Sequence, residues 1–306
     1  IVVPSSVTSI GDWAFYYEHN FTEVLLPDSV RRIGDHAFYA CHGLKQMHIG
    51  PSVTTIEDAA FGGCESMTSI TVDENNPVFS SLDGVLFNKG QTTLVAFPAG
   101  KGGVYTVPST VRSIGTAAFL SCYNVEEVIL PDGIVSIEYC AFEVCRNMKK
   151  INLPEGLTNI GGFAFSDCGL TSVSIPSTVK TIGKNAFQYS ALDTIYFFGS
   201  APTFGDYCFQ NVTATAYYPD DGTWTDDVKK QYGGTITWEP MNLSELVLYK
   251  DHTEIAVGQS EKLEVNTAAP LIWTSSNETA ATVDSNGVVT AHKYGKELKV
   301  ILETGL

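Results

Sequence analysis

Ile33 to Val53 read IGDHAFYACHGLKQMHIGPSV, and this stretch decides the fold because its pattern returns seven more times in the 306 residues. An Ala-Phe pair is followed three residues later by a small residue, then by a spaced apolar trio, then by proline. The phenylalanines are Phe15, Phe38, Phe61, Phe119, Phe142, Phe165, Phe187 and Phe209, separated by 23, 23, 58, 23, 23, 22 and 22 residues. A fixed period of this size marks a solenoid, in which each unit buries its apolar edge only against its neighbours.

Aligned on phenylalanine, each position has a physical task. Ile10-Gly11, Ile33-Gly34, Ile114-Gly115, Ile160-Gly161 and Ile182-Gly183 precede the ring. The isoleucine points inward, and the glycine permits a tight bend where a side chain would collide or φ must be positive. Ile56-Glu57 and Ile137-Glu138 lack that glycine, so a positive φ is not obligatory there. Stacked one per coil, the rings are expected to form a continuous spine, each worth roughly 1.5–3 kcal/mol on burial.

The trios Leu44/Met47/Ile49, Met67/Ile70/Val72, Val125/Val128/Leu130, Met148/Ile151/Leu153 and Leu170/Val173/Ile175 carry the L-x-x-L-x-L strand spacing of leucine-rich repeats. Proline at Pro27, Pro51, Pro108, Pro131, Pro154 and Pro176 ends each strand, since it offers no N–H and fixes φ. Successive strands are expected to stack in parallel along one edge.

Five of the seven cysteines, Cys41, Cys64, Cys122, Cys145 and Cys168, share one rung, with Ser190 in the same place later. Identical positions project side by side and no C-x-x-C occurs, so free buried thiols are expected ahead of disulfides or zinc. The long interval after Phe61 holds an enlarged unit, about 73–107, in which Gly84–Asn88 and Thr93–Phe97 flank Lys89-Gly-Gln-Thr92 as a hairpin. That hairpin reads either as a projecting recognition feature or as cover for a seam. Beyond Phe187 the pattern decays, and residues of about 211–240, with Trp224 and Trp238, read as a cap over the open end of the spine. Ile1-Val-Val-Pro4 is already a strand end, so the chain is expected to begin within a unit, with room for a leader before it.

The recurring I-G-x-x-A-F-x-x-C with its L-P or I-P strand end resembles the BspA-type leucine-rich repeats of bacterial surface proteins over residues 1–240. Asn76-Pro-Val-Phe-Ser-Ser-Leu-Asp-Gly-Val-Leu-Phe87 also looks like a variant unit of that family. From about Met241 the period vanishes and short alternating runs appear: 245–249, 253–257, 262–265, 271–274, 288–291 and 298–302, with a turn at Ser285-Asn-Gly287. Ile255-Ala-Val-Gly258, Trp273-Thr-Ser-Ser-Asn277 and Ala281 to Ala291 resemble the group 2 bacterial immunoglobulin-like domain, with Trp273 as its core aromatic. The expected fold is a right-handed, β-rich leucine-rich-repeat solenoid over 1–240 plus a small all-β immunoglobulin-like sandwich over 241–306. Both resemblances imply a secreted or cell-surface protein used for adhesion or binding.

A net charge of -16, with basic residues scattered, argues against nucleic acid and anionic membrane as partners. No apolar run is long enough to span a bilayer, so membrane insertion is not expected. No P-loop, G-x-S-x-G, H-E-x-x-H or dinucleotide fingerprint occurs, so the chain is read as non-catalytic and without a cofactor. His36, His42 and His48 occupy different repeat positions and are not expected to converge on a metal. Adjacent carboxylates (Glu126-Glu127, Asp220-Asp221, Asp226-Asp227) read as solvated loop charge, without the spacing of hydrolase acids or a calcium loop.

What remains is the outward face of the trio strands, the usual recognition surface of a solenoid. Its candidate residues are Gln46, His48, Ser69, Thr71, Glu127, Ile129, Lys150, Asn152, Ser172, Ser174, Thr194 and Tyr196. This mixed, weakly charged surface suits a host or microbial surface protein. A glycan is the second reading, and requires Tyr196, Trp224 and Trp238 to be exposed together in a groove.

Overall fold

The computed structural model describes residues 1–241 and, beyond them, residues 260–262, 272–275, 281–283, 288–291 and 300–303. The chain winds into a β-solenoid of about 11 turns, with no helix among the described residues. Each regular coil contributes two strands, where the spacing had shown one. Besides the trio strand, the residue pair ending in the recurring isoleucine forms a two-residue strand. Ser9–Ile10, Arg32–Ile33 and Thr55–Ile56 pair in parallel, and a longer sheet runs from Thr93–Ala96 through Ser113–Ile114, Ser136–Ile137, Asn159–Ile160 and Thr181–Ile182 to Thr203–Phe204. Runs of two residues carry no period, which is why the pattern conceals them.

The trio strands do stack in parallel, but as three separate sheets, not one. Gln46–Ile49 pairs Ser69–Val72; Gly103–Thr106, Val125–Ile129 and Lys150–Ile151 form the second; Ser172–Ile175, Thr194–Phe197, Thr213–Pro219 and Thr235–Met241 form the third.

The turn between the two strands is built around left-handed backbone at non-glycine residues. The residues two before and two after the phenylalanine have φ between 51° and 61° in coil after coil: Trp13 and Tyr17, His36 and Ala40, Ala117 and Ser121, Cys140 and Val144, Phe163 and Asp167, Asn185 and Tyr189. Such residues cost on the order of 1 kcal/mol each and persist only where their surroundings fix them. Here the fixing is visible: Trp13, Phe15 and Tyr17 donate their N–H groups to Asp35, Ala37 and Tyr39 of the next coil at 2.8, 2.8 and 2.9 Å. The Ile-Gly glycines do not supply the positive φ. All but Gly11, which has open space, are needed for room, since a Cβ at Gly34 or Gly161 would stand 2.6 Å from backbone atoms of the preceding coil.

The phenylalanines stack as the period predicts. Ring centroids lie 5.1 Å apart for Phe15–Phe38, 5.9 Å for Phe38–Phe61, 4.8 Å for Phe119–Phe142, 5.3 Å for Phe142–Phe165, 5.2 Å for Phe165–Phe187 and 5.9 Å for Phe187–Phe209. The column is not continuous, however. Phe119 stacks at 4.7 Å on Phe97, which is not one of the eight aligned rings.

Phe97 closes a disguised coil. Thr93 and Leu94 pair with Ser113 and Ile114, and the Phe97 N–H donates to Ala118 at 2.7 Å, as Phe119 donates to Ala141. Ala96-Phe97 is therefore a ninth Ala-Phe pair, 22 residues before Phe119, with Leu94 only three residues ahead of the ring where Ile114 is five ahead of its own. The predicted pairing of Val85–Asn88 with Thr93–Ala96 is present, and a further strand, Phe79–Leu82, joins through an Asp83-Gly84 turn with both φ positive. The hairpin does not project. Val85, Leu86 and Phe87 are all fully buried, and they alternate between two cores: Leu86 with Phe79 belongs to the N-terminal one, Val85 and Phe87 to the C-terminal one. The insertion is the seam that splits the solenoid's interior.

The cysteine rung carries free, buried thiols. They give a second hydrogen bond to carbonyls that already accept a backbone N–H within their own coil: Cys41, Cys64 and Cys145 point Sγ at the carbonyl of the phenylalanine one coil back, at 3.0, 3.0 and 3.1 Å. Burial raises the Cys145 thiol well above its ordinary value and pushes that of Cys168 up to about 12, so neither offers a thiolate at neutral pH. The shorter Ser190 hydroxyl at the same rung is buried without a partner. Titration with a thiol reagent is expected to find the seven cysteines protected in native protein and all seven reactive after unfolding without reductant; a deficit of two or more would mean disulfides.

At the other end, Trp224 and Trp238 pack with Phe197, Phe204 and Tyr218, while Tyr232 lies against Phe204 and the last column ring, Phe209. Beyond 241 the pairing changes character. Ser260–Lys262 and Ala281–Val283 flank Val288–Ala291 antiparallel, and Ile272–Ser275 pairs antiparallel with Val300–Glu303. The predicted strands at 245–249 and 253–257, the Ile255–Gly258 motif and the environment of Trp273 lie outside the described residues.

Candidate functional site

The trio strands alternate inward and outward as their period of two requires. Gln46 and His48 are exposed between buried Met47 and Ile49; Lys150, Asn152 and Ser172 are exposed; Ser69, Glu127, Ser174, Thr194 and Tyr196 are half-buried; Thr71 and Ile129 are exposed. All twelve predicted residues thus lie on the outer side, but the three-sheet break distributes them over three patches.

In the first, Gln46 faces Ser69 and His48 faces Thr71, with 3.0 Å between His48 Nδ1 and Thr71 Oγ1. The third is a hydroxyl ladder, Ser172 to Thr194 to Thr215, beside Tyr196, which stacks on Tyr217 at 5.2 Å. The middle patch differs in kind. Glu127 stands between Val104 and Lys150 in register, and Ile129 stands beside Thr106. Val104 is 59% exposed and Ile129 39%, a pair of apolar side chains on open sheet flanked by one charge of each sign. Val104 is not among the candidates read from the sequence because its strand lies in the enlarged unit, outside the regular apolar trios that place the outward positions.

Asn152 has a structural task instead of a free surface. Its side chain accepts from the Leu130 N–H at 2.7 Å and donates to the Leu130 carbonyl at 2.8 Å, clamping the preceding coil. The groove required for the glycan reading is absent: Trp224 is buried, its indole N–H donating to Gly199, and the Trp238 ring packs on Trp224 and Phe197. Those tryptophans hold the end of the solenoid together, and Tyr196 does not share a surface with them.

His36, His42 and His48 do not meet one another, although His42 has His19 as its stacking partner. His36 stacks on Trp13 at 4.1 Å, His42 on His19 at 4.7 Å, and His48 reaches Thr71. Among the described residues no three His, Cys, Asp or Glu side chains gather as a metal site, and no helix is long and apolar enough to cross a membrane. Asp221 spends its carboxylate on Ser200 and Thr223, which keeps it below the ordinary carboxylate range against the opposing effect of partial burial.

Comparison with known proteins agrees with this geometry. The family described as the BspA type leucine rich repeat region matches in six copies over residues 1–100 and 104–217. No curated protein matches. Among solved structures, the pneumococcal vaccine antigen PcpA superposes with a TM-score of 0.64 at 22% identity, over 78% of this chain and 67% of that one. A leucine rich cell surface protein from Faecalibacterium prausnitzii superposes with a TM-score of 0.59 at 27% identity, over 79% of this chain. This chain spans only 60% of that second protein's length.

Proposed function

The chain belongs to the BspA-type leucine-rich repeat family, and from that membership we propose a secreted or cell-surface bacterial protein, non-catalytic, that mediates adhesion by binding a surface protein of a host or another microbe. That the Faecalibacterium relative is a leucine rich cell surface protein supports the location. In this reading residues 1–240 present the binding surface, residues of about 211–240 cap it, and 241–306 form an immunoglobulin-like module that displays it.

The observation that carries the binding role is the exposure of Val104 and Ile129 on one sheet, with Glu127 in register between Val104 and Lys150. Apolar side chains fixed on a rigid sheet lose little entropy when a partner covers them, and charges beside them set register and exclude wrong partners. A membrane or nucleic acid is not the partner in this reading, because an overall charge of -16 opposes both.

The test compares wild type with a variant carrying Val104→Thr, Ile129→Thr, Glu127→Ser and Lys150→Ser, all compatible with a strand. Wild type is expected to retain a partner from host-surface or microbial-surface extracts, with recovery falling at least about tenfold for the variant, equivalent to some 1.4 kcal/mol of binding. Equal recovery at an unchanged melting temperature would remove this face from consideration.

A further inference from the structure

The seam leaves a hydrogen-bonding gap in the coil array. In a regular coil three N–H groups cross to the next one: His36, Phe38 and Ala40 donate to Asp58, Ala60 and Gly62 at 3.1, 2.8 and 2.8 Å. In the coil that follows, only Gly63 finds such an acceptor, reaching past the disguised coil to Leu120 at 3.2 Å. The N–H groups of Ala59 and Phe61 have none, because Leu94–Phe97 is two residues shorter than its counterparts. On the far side the Thr116 carbonyl, whose equivalents at Asp35, Asp58, Tyr139 and Gly162 all accept, receives no donor. Between these unpaired groups lies a cleft of about 180 Å³, with Val95, Ala96 and Phe97 along it and Ile56, Phe61 and Leu120 as its apolar lining.

We propose that this cleft binds the secondary amide of an acetamido group, as carried by N-acetylated amino sugars. Unpaired peptide groups in a mostly buried setting favour a ligand that pairs them. A trans amide pairs groups on both sides: its carbonyl accepts from the Phe61 N–H beside Ala59, its N–H donates to the Thr116 carbonyl, and its methyl meets the apolar lining. It thereby stands in for the peptide unit that the short coil omits. A through-running peptide strand does not fit, because the Gly63–Leu120 bond closes one end, and the volume is below the ~300 Å³ at which pockets for drug-sized ligands begin. The ligand is not an anion. Glu57 and Asp58 line the same cleft, and burial, reinforced by Asp35 and Glu57, holds the Asp58 carboxyl above its ordinary value, an environment that disfavours an added anion. The site is separate from the trio-strand face and does not depend on that face binding protein.

Amide resonances of the full chain, followed during titration with N-acetylglucosamine, test this. Those of Ala59 and Phe61 are expected to shift and saturate with a Kd on the order of 1 mM, as suits a small group, while glucose and glucosamine leave them in place. Val95→Phe, which fills the cleft, is expected to weaken the response at least tenfold, whereas the strand-face variant retains it. No shift with N-acetylglucosamine, or the same shift with glucose, would overturn the proposal. An acetyl-lysine peptide binding more than tenfold tighter than the sugar would overturn it as well, by assigning the cleft to a protein ligand.

Discussion

Phe142→Ala is expected to lower stability by about 3–5 kcal/mol, read as a drop in the midpoint of urea unfolding. The ring is fully buried and is stacked on both faces, 4.8 Å from Phe119 and 5.3 Å from Phe165. Its removal therefore forfeits the transfer energy of the ring and opens a cavity that neither neighbour fills, because backbone rungs hold the coils at fixed spacing. Phe142 donates its N–H to Ala164 at 2.8 Å, and Phe119 does the same to Ala141 at 2.7 Å. Stability in a solenoid is a sum of units and the contacts between neighbours, so the loss also weakens coupling between the coils on either side. Phe15→Ala provides the internal contrast: that ring is only partly buried, and of the column it touches Phe38 alone. A loss under about 1 kcal/mol for Phe142→Ala would contradict the column as the source of cohesion.

The second large effect is expected at Asn76. Its side chain is fully buried and makes four hydrogen bonds, all to backbone: Nδ2 donates to Gly50 and Val53 at 2.8 and 2.9 Å, and Oδ1 accepts from Val78 and Phe79 at 2.9 and 2.8 Å. The first pair belongs to a regular coil and the second to the inserted hairpin, so one amide fastens the insertion to the array. Asn76→Ala leaves the Val53 carbonyl and the Val78 and Phe79 N–H groups without partners, the Gly50 carbonyl keeping its bond from the Val53 N–H, and with each buried unpaired group worth about 1–3 kcal/mol, a loss of at least about 3 kcal/mol is expected. Faster hydrogen exchange at Val78 and Phe79 should accompany it. Asn75→Ala, at an exposed neighbour bonded only to Asp73, is expected to change stability by under about 1 kcal/mol. Equal effects from the two substitutions would show that the buried network does not hold the seam.

The different legibility of these two residues reflects how each is encoded. Phe142 could be read directly, because the same ring recurs every 22 or 23 residues and a recurring large apolar side chain must have a recurring partner. The cysteine rung was equally readable, since parallel projections cannot pair. Asn76 occurs once, in a stretch rich in turn residues, and nothing in its neighbours shows that its amide will be enclosed. Ala96-Phe97 was hidden for a related reason: the two residues missing before it removed the Ile-Gly that identifies a coil, so the strand was assigned only to the hairpin. The outward strand residues were assigned to the right side because alternation is local. Whether they form one surface or three depends on where the parallel pairing stops, which is a property of stacking between coils.

Periodicity by itself determined the solenoid, the aromatic column and the buried thiols, since each is a short-range pattern whose repetition leaves a single way to bury it. Only the tertiary structure decided that the insertion is an internal wedge, that the interior is two cores, and that Ala59, Phe61 and Thr116 are left facing across a gap. Those outcomes arise where one coil fails to match its neighbours in length, and a mismatch between distant segments has no signature in either segment alone.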